Sequence, residues 1–172
     1  RPSRAAGPPG MMRSTLAASK AGSTLAAASS AAAGDKATCA LASALPEAGA
    51  DCLCLCDTNG GTFPDVIHDI TKQVAAQFRT PIGIHCHNDC EMAVANSVMA
   101  VQAGATQVQG TINGIGERCG NANLCAIIPD LQLKLGHACI PAERMAQLTS
   151  VARCVAEIAN LAPNEKAAYV GH

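Results

Sequence analysis

Three short strand-like runs, each ending in a polar loop and each set apart by a helical pattern, constrain this chain most. They occupy residues 52–56, 82–86 and 106–110, with centres near 54, 84 and 108. The first is continuously apolar, Cys-Leu-Cys-Leu-Cys, as suits a strand buried on both faces. After the first run, Pro64 fits a first helical position, and Ile67, Ile70, Val74 and Phe78 recur at helical spacing. After the second, Asn88 is a good N-cap with Glu91 three residues on, the pattern of a capping box. Val94, Val98 and Val101 form one stripe of the helix that follows, and Gly104 closes it. A helix from about Asn121 should kink or split at Pro129. A last amphipathic helix over residues 142–160 carries Leu148, Val151, Val155 and Ile158 on its apolar stripe. Upstream, residues 37–49 read as a helix weakened by Pro46. Strands alternating with helices in this way are parallel β/α units.

An internal echo narrows the choice among α/β folds. Ala48-Gly49-Ala50-Asp51, a strand and Asp57-Thr58-Asn59-Gly60 match Ala103-Gly104-Ala105-Thr106, a strand and Thr111-Ile112-Asn113-Gly114. Repetition of one unit favours a TIM (β/α)8 barrel over a doubly wound sheet. Three strands cannot close a ring of eight, so the expectation is a piece of a barrel; the family resemblance described below implies that it is about the last three β/α units. The core of that fragment must be built without aromatics: there is no Trp, one Tyr and two Phe, against 35 Ala.

Charge divides the chain. Residues 1–33 carry Arg1, Arg4, Arg13 and Lys20 but no acid, and are otherwise rich in Ala, Ser, Pro and Gly. Such a segment is either a transit peptide or a low-complexity linker. The chain starts at Arg1 rather than Met, which favours the linker or fragment reading. The domain expectation is therefore 1–33 low-complexity, 34–136 partial barrel, and 137–172 a C-terminal helix with the start of a linker. The net charge of −1 argues against nucleic acid and acidic membrane as partners. No apolar run reaches the roughly 18 residues of a membrane span. The expected location is soluble and intracellular: cytoplasmic, or plastid or mitochondrial if residues 1–33 are a transit peptide. The ten cysteines include no C-x-x-C pair; Cys52, Cys54 and Cys56 alternate on one strand face, as reduced, buried fillers would.

Polar residues gather just after each strand, where barrel enzymes of this class keep their active sites. In the middle loop, His85 and His87 stand at i and i+2 on a strand end and so point the same way. Two neutral imidazoles with an oxygen ligand form a common divalent-metal set. A lone histidine would instead read as structural, and His68, His137 and His172 read as surface residues. The loop Asn113–Asn121 is rich in Gly, with Glu117 and Arg118. It is either a phosphate cradle or a tight loop closed by a Glu117–Arg118 contact.

The run Gly83-Ile84-His85-Cys86-His87-Asn88-Asp89, followed by Gly116-Glu117-Arg118-Cys119-Gly120-Asn121, strongly resembles the metal-dependent acyl-CoA:2-oxo-acid condensing enzymes. That family includes the 2-isopropylmalate, homocitrate and citramalate synthases and shares a barrel superfamily with 3-hydroxy-3-methylglutaryl-CoA lyase. Leu55–Thr62, Ile127–Lys134 and Tyr169-Val170-Gly171 look most like the citramalate synthase branch. The resemblance spans about residues 37–172.

The resemblance implies that His85 and His87 bind a divalent metal (Mn, Mg or Zn), with Asn121 at or near it, and that Thr58 contacts the carboxylate of a 2-oxo acid. It implies a Claisen-type condensation of acetyl-CoA with that acid, pyruvate giving citramalate, in branched-chain amino-acid biosynthesis. 2-Isopropylmalate synthase, with 2-oxoisovalerate as substrate, is the alternative. It also implies a homodimer in the full-length protein. The family's first-strand Arg-Asp pair, a catalytic Glu and a C-terminal His-Tyr pair have no counterpart here, so catalytic residues are expected outside this chain. The chain alone is then expected to be inactive, and a truncated partner of a full-length synthase is a rival reading. Lyase relatives carry a catalytic cysteine near the place of Cys119, but Glu117-Arg118 and Gly120-Asn121 around it follow the synthase pattern.

Overall fold

The computed structural model describes residues 25–28 and 51–171. Four parallel strands form one sheet in chain order: β1 (Leu25–Ala28), β2 (Leu53–Asp57), β3 (Ile82–Cys86) and β4 (Gln107–Gln109). Consecutive strands side by side and all parallel, with a helix between β2 and β3 and another between β3 and β4, are the arrangement of a β/α barrel. A doubly wound sheet would reverse its order at a switch point. The described sheet has none, and corresponds to half of the eight strands of a TIM barrel. The three expected strands are β2 to β4. The fourth, β1, lies within residues 1–33, where composition alone pointed to no strand. The helix expected over residues 37–49 lies outside the described residues.

Among the described residues four helices accompany the sheet: α1 (Pro64–Gln77), α2 (Ala93–Gln102), α3 (Leu124–Pro129) and α4 (Leu148–Ile158). Pro64 opens α1 as its spacing suggested, since a first-turn N–H has no helical partner to lose. Phe78 is already extended beyond the helix end. Pro129 ends α3, and the chain continues as a wider π-turn over Asp130–Lys134. The Asn88–Glu91 capping box does not form. Glu91 is left-handed at φ 57°, and α2 begins only at Ala93, whose N–H donates to Asn88 Oδ1 at 3.1 Å. The turn between is held by other loops: Asn88 N–H donates to the Gly120 carbonyl and Cys90 N–H to that of Gly60. The last helix also differs. Residues Ala142–Gln147 wind as a tighter 3-10 segment, and α4 buries Leu148, Ala152 and Ala156. Val151 and Ile158 of the expected stripe face solvent, Ile158 at 80% exposure. Small residues win the buried face because the loop after β4 approaches closely: Asn113 Nδ2 donates to the Ala152 carbonyl at 2.7 Å.

Alternation along β2 to β4 gives the sheet two unlike faces. One bears Leu53, Leu55, Ile82, Ile84, Cys86 and Val108. Ile84, Cys86 and Val108 pack with Ile67 of α1, Ala93, Ala100 and Val101 of α2, and Ile127 of α3. Ile84 is 1% exposed, and full burial of one such side chain contributes about 1.5–3 kcal/mol. The opposite face, which would look into the barrel, bears Cys52, Cys54, Cys56, Gly83, His85, Gln107 and Gln109. Gly83 leaves room there for the side-chain ends of its neighbours. A Cβ on it would fall 2.9 Å from Gln107 Oε1 and 3.3 Å from Cys52 Sγ. The space it leaves lets Cys52 Sγ donate to Gln107 Oε1 at 2.9 Å. Among the described residues the cysteines are free thiols, as their spacing suggested. Among them, too, no helix is long and apolar enough to cross a membrane.

Candidate active site at the strand ends

Strand register sets the candidate groups side by side. Cys56 pairs with His85 and Asp57 with Cys86, while His85 pairs with Gln109 across to β4. His85 and His87 project together, their ring centroids 5.2 Å apart and their planes at 67°. His87 in turn forms an isolated bridge with Asn121. Ala122 N–H donates to the Cys86 carbonyl at 3.0 Å, which draws the loop after β4 over the end of β3. The fold thus brings His85, His87 and Asn121 to one place. Thr58 is exposed on the neighbouring rim, one residue past Asp57, whose carbonyl accepts the His87 N–H at 3.2 Å.

The electrostatics favour neutral imidazole. Burial pushes the His85 pKa below its ordinary value, the nearby His87 adds to this, and a hydrogen bond with Gln109 opposes it. A neutral ring is the form that ligates metal. Two buried polar atoms here lack partners: His87 Nδ1 and Asn121 Oδ1. Unsatisfied buried groups are rare enough to need a reason. A nitrogen and an amide oxygen, both without partners and beside a second imidazole, fit a divalent cation of intermediate softness. No carboxylate or thiol completes the set, for among the described residues no group of three His, Cys, Asp or Glu could hold a metal ion.

Asp57 is not spare for that purpose. Its carboxylate accepts from Thr62 Oγ1 at 2.9 Å and from Thr62 N–H at 3.3 Å, closing the loop after β2 on itself. Asn96 reaches from α2 to the Thr62 carbonyl and holds the same loop from behind. The loop after β4 is not closed mainly by Glu117 and Arg118, which stand 3.8 Å apart. Arg118 turns instead to Asp89, with Nε to Oδ1 at 2.8 Å and Nη2 to Oδ2 at 3.0 Å. This pairing holds the Asp89 carboxyl below the usual carboxylate range. An arginine engaged in this way is not free to cradle a phosphate. Of the other histidines, His68 pairs with its exposed neighbour Asp69 at 3.0 Å, His137 is half-buried and away from the strand ends, and His172 is outside the described residues. Cys119 is exposed on the rim. Sequence reasoning missed Gln109, Asp57 and the Asp89–Arg118 pair; for the last, the adjacency of Glu117 was the misleading signal.

The HMGL-like family model matches residues 14–155. The (R)-citramalate synthase of Synechocystis is 57% identical over 133 residues, which are 73% of this chain and 24% of that protein. A protein of Methanosarcina acetivorans named probable 2-isopropylmalate synthase is 52% identical over 88 residues, 51% of this chain and 17% of that protein. The chain therefore spans about a quarter or less of the length of these curated relatives. Among solved structures, the HMG-CoA lyase of Bacillus subtilis superposes with a TM-score of 0.64 at 26% identity, covering 76% of this chain and 45% of that one.

Proposed function

The chain belongs to the HMGL-like family, and on that premise we propose that it is the distal half-barrel of a citramalate synthase. The whole protein would condense acetyl-CoA with pyruvate, as a homodimer, and hydrolyse the resulting thioester with water, releasing citramalate and free CoA. One observation carries this reading. His85 and His87 stand together at the strand ends, beside a buried Asn121 oxygen that has no partner.

In this proposal His85, His87 and Asn121 hold a divalent cation such as Mn, Mg or Zn, which when bound would polarise the keto group of the 2-oxo acid. The residues of this chain do the rest of the positioning. Burial keeps His85 unprotonated and ready to ligate. Gln109 fixes the ring from the adjacent strand, as outer partners of ligating histidines commonly do. Thr58 offers a hydroxyl on the rim to the carboxylate of the 2-oxo acid. The base that deprotonates acetyl-CoA and the group that steadies its enolate would come from other parts of the protein.

The test is thiol release from acetyl-CoA by the whole protein, with pyruvate and 2-oxoisovalerate compared. Faster release with pyruvate supports the reading. Preference for 2-oxoisovalerate would transfer it to the 2-isopropylmalate synthases, which the Methanosarcina relative represents. Release no faster than without protein, for either acid, would end both. The 172-residue chain in the same assay should show no turnover, because losing a general base alone costs about 10²–10⁴-fold.

A further inference from the structure

We infer that Arg118 is a positioning residue for the 2-oxo-acid subsite, acting through the main chain of Thr58. The inference rests on the functional reading above and deepens it. Arg118 makes three contacts at once. Its Nε and Nη2 grip Asp89, and the same Nη2 donates to the Thr58 carbonyl at 2.6 Å. Asp89 lies two residues after His87, Arg118 three residues before Asn121, and Thr58 in the loop after β2. One guanidinium thus ties together three loops, each of which carries a candidate site residue.

The arrangement is shaped for this contact. Arg118 is held in a left-handed conformation at φ 54°, which few side chains other than Gly, Asn and Asp adopt readily. Gly60, at φ 61°, leaves the space that Asp89 fills, since a Cβ there would fall 2.4 Å from Asp89 Oδ2. Exposed ion pairs generally contribute little to stability. A planar fork that meets a carboxylate with two donors and shares one with a carbonyl contributes direction, which a lysine ammonium does not.

The strand pairing of β3 holds His85 without Arg118, whereas Thr58 lies beyond β2 and takes its main-chain contact from Arg118. Loss of Arg118 should therefore disturb the subsite of Thr58 and spare metal binding at the histidines.

The experiment compares Arg118→Ala and Arg118→Lys with the wild-type whole protein, with Arg144→Ala as a remote control. Four quantities are read: KM for pyruvate against kcat, Mn affinity, hydrogen exchange of the Thr58 to Thr62 amides, and the thermal midpoint. Both Arg118 variants should raise KM for pyruvate about tenfold, the loss expected for a charge-assisted hydrogen bond, with kcat changed less than about threefold. They should speed exchange at Thr58 to Thr62 and leave Mn affinity within about twofold. Unchanged KM and exchange would overturn the inference. So would a uniform fall in stability, Mn affinity and kcat, which marks a merely structural contact. Full rescue by Arg118→Lys would overturn the directional argument. Should the wild type fail to condense any 2-oxo acid, the functional reading falls. The exchange and Mn measurements then still decide whether Arg118 fixes the Thr58 loop.

Discussion

The two faces of the sheet come from the same strands and differ in almost every property. The helix-facing side is Leu, Ile, Val, a buried Cys and, at its rim, Asp57, and it packs densely against α1, α2 and α3. The other side is Cys, Gly, His and Gln, with side chains that donate and accept across the strands. The first face holds the fold together, and the second presents chemistry at its C-terminal rim. Alternation by one residue separates the two tasks, so His85 carries the candidate metal site while its neighbour Ile84 is 1% exposed in the core.

His85→Ala should break the contrast most sharply. If metal polarisation supplies several kcal/mol to the reaction, the whole protein should lose activity on the order of 10³-fold. Its thermal midpoint should move little, and His137→Ala should match the wild type. Activity retained in His85→Ala would remove the metal site from this face.

Ile84→Ala should do the reverse. Truncating a buried Ile leaves a cavity and costs about 2–5 kcal/mol, read as a shift in denaturant midpoint. Mn affinity of the folded fraction should be unchanged. A variant that bound Mn poorly but unfolded normally would show that the two faces are not separable.

Thiol reactivity gives the smallest effect and the finest map. Cys90, Cys119 and Cys154 are exposed and should be alkylated first, while the buried Cys54, Cys86 and Cys125 should be last, as mass spectrometry of the labelled peptides would show. Burial, with the nearby Asp57 charge, pushes the Cys86 thiol up to about 12 from an ordinary 9.0. The folded state thus keeps its proton where the unfolded chain would lose it. The stability this contributes is intact below about pH 9 and is lost as pH rises towards 12. Early labelling of Cys86 at neutral pH would contradict the packing of the helix-facing side.

Much of this was legible in the residues. The periods of the apolar pattern separated strands from helices, and the H-x-H spacing at a strand end singled out His85 and His87 without any structure. The capping box at Asn88 was misread because Glu91 is turned left-handed by a segment that docks onto Gly60 and Gly120, residues far away in sequence. The stripe of α4 was misread for a related reason. A helix buries whichever face its neighbour approaches, and here the neighbour is a loop close enough to favour Ala152 and Ala156 over Val151 and Ile158.

What the sequence alone determined was local: which segments extend, which coil, and which side chains share a strand face, because these follow from periods of two and 3.6 residues. Tertiary structure decided what joins across the loops. The unpartnered oxygen of Asn121 beside His87, the grip of Arg118 on Asp89 and Thr58, and the choice of Asp89 over the adjacent Glu117 all depend on strand register. Hydrogen bonds reach only about 3 Å, and residues 29 or 60 positions apart come that close only once parallel strands have aligned their ends.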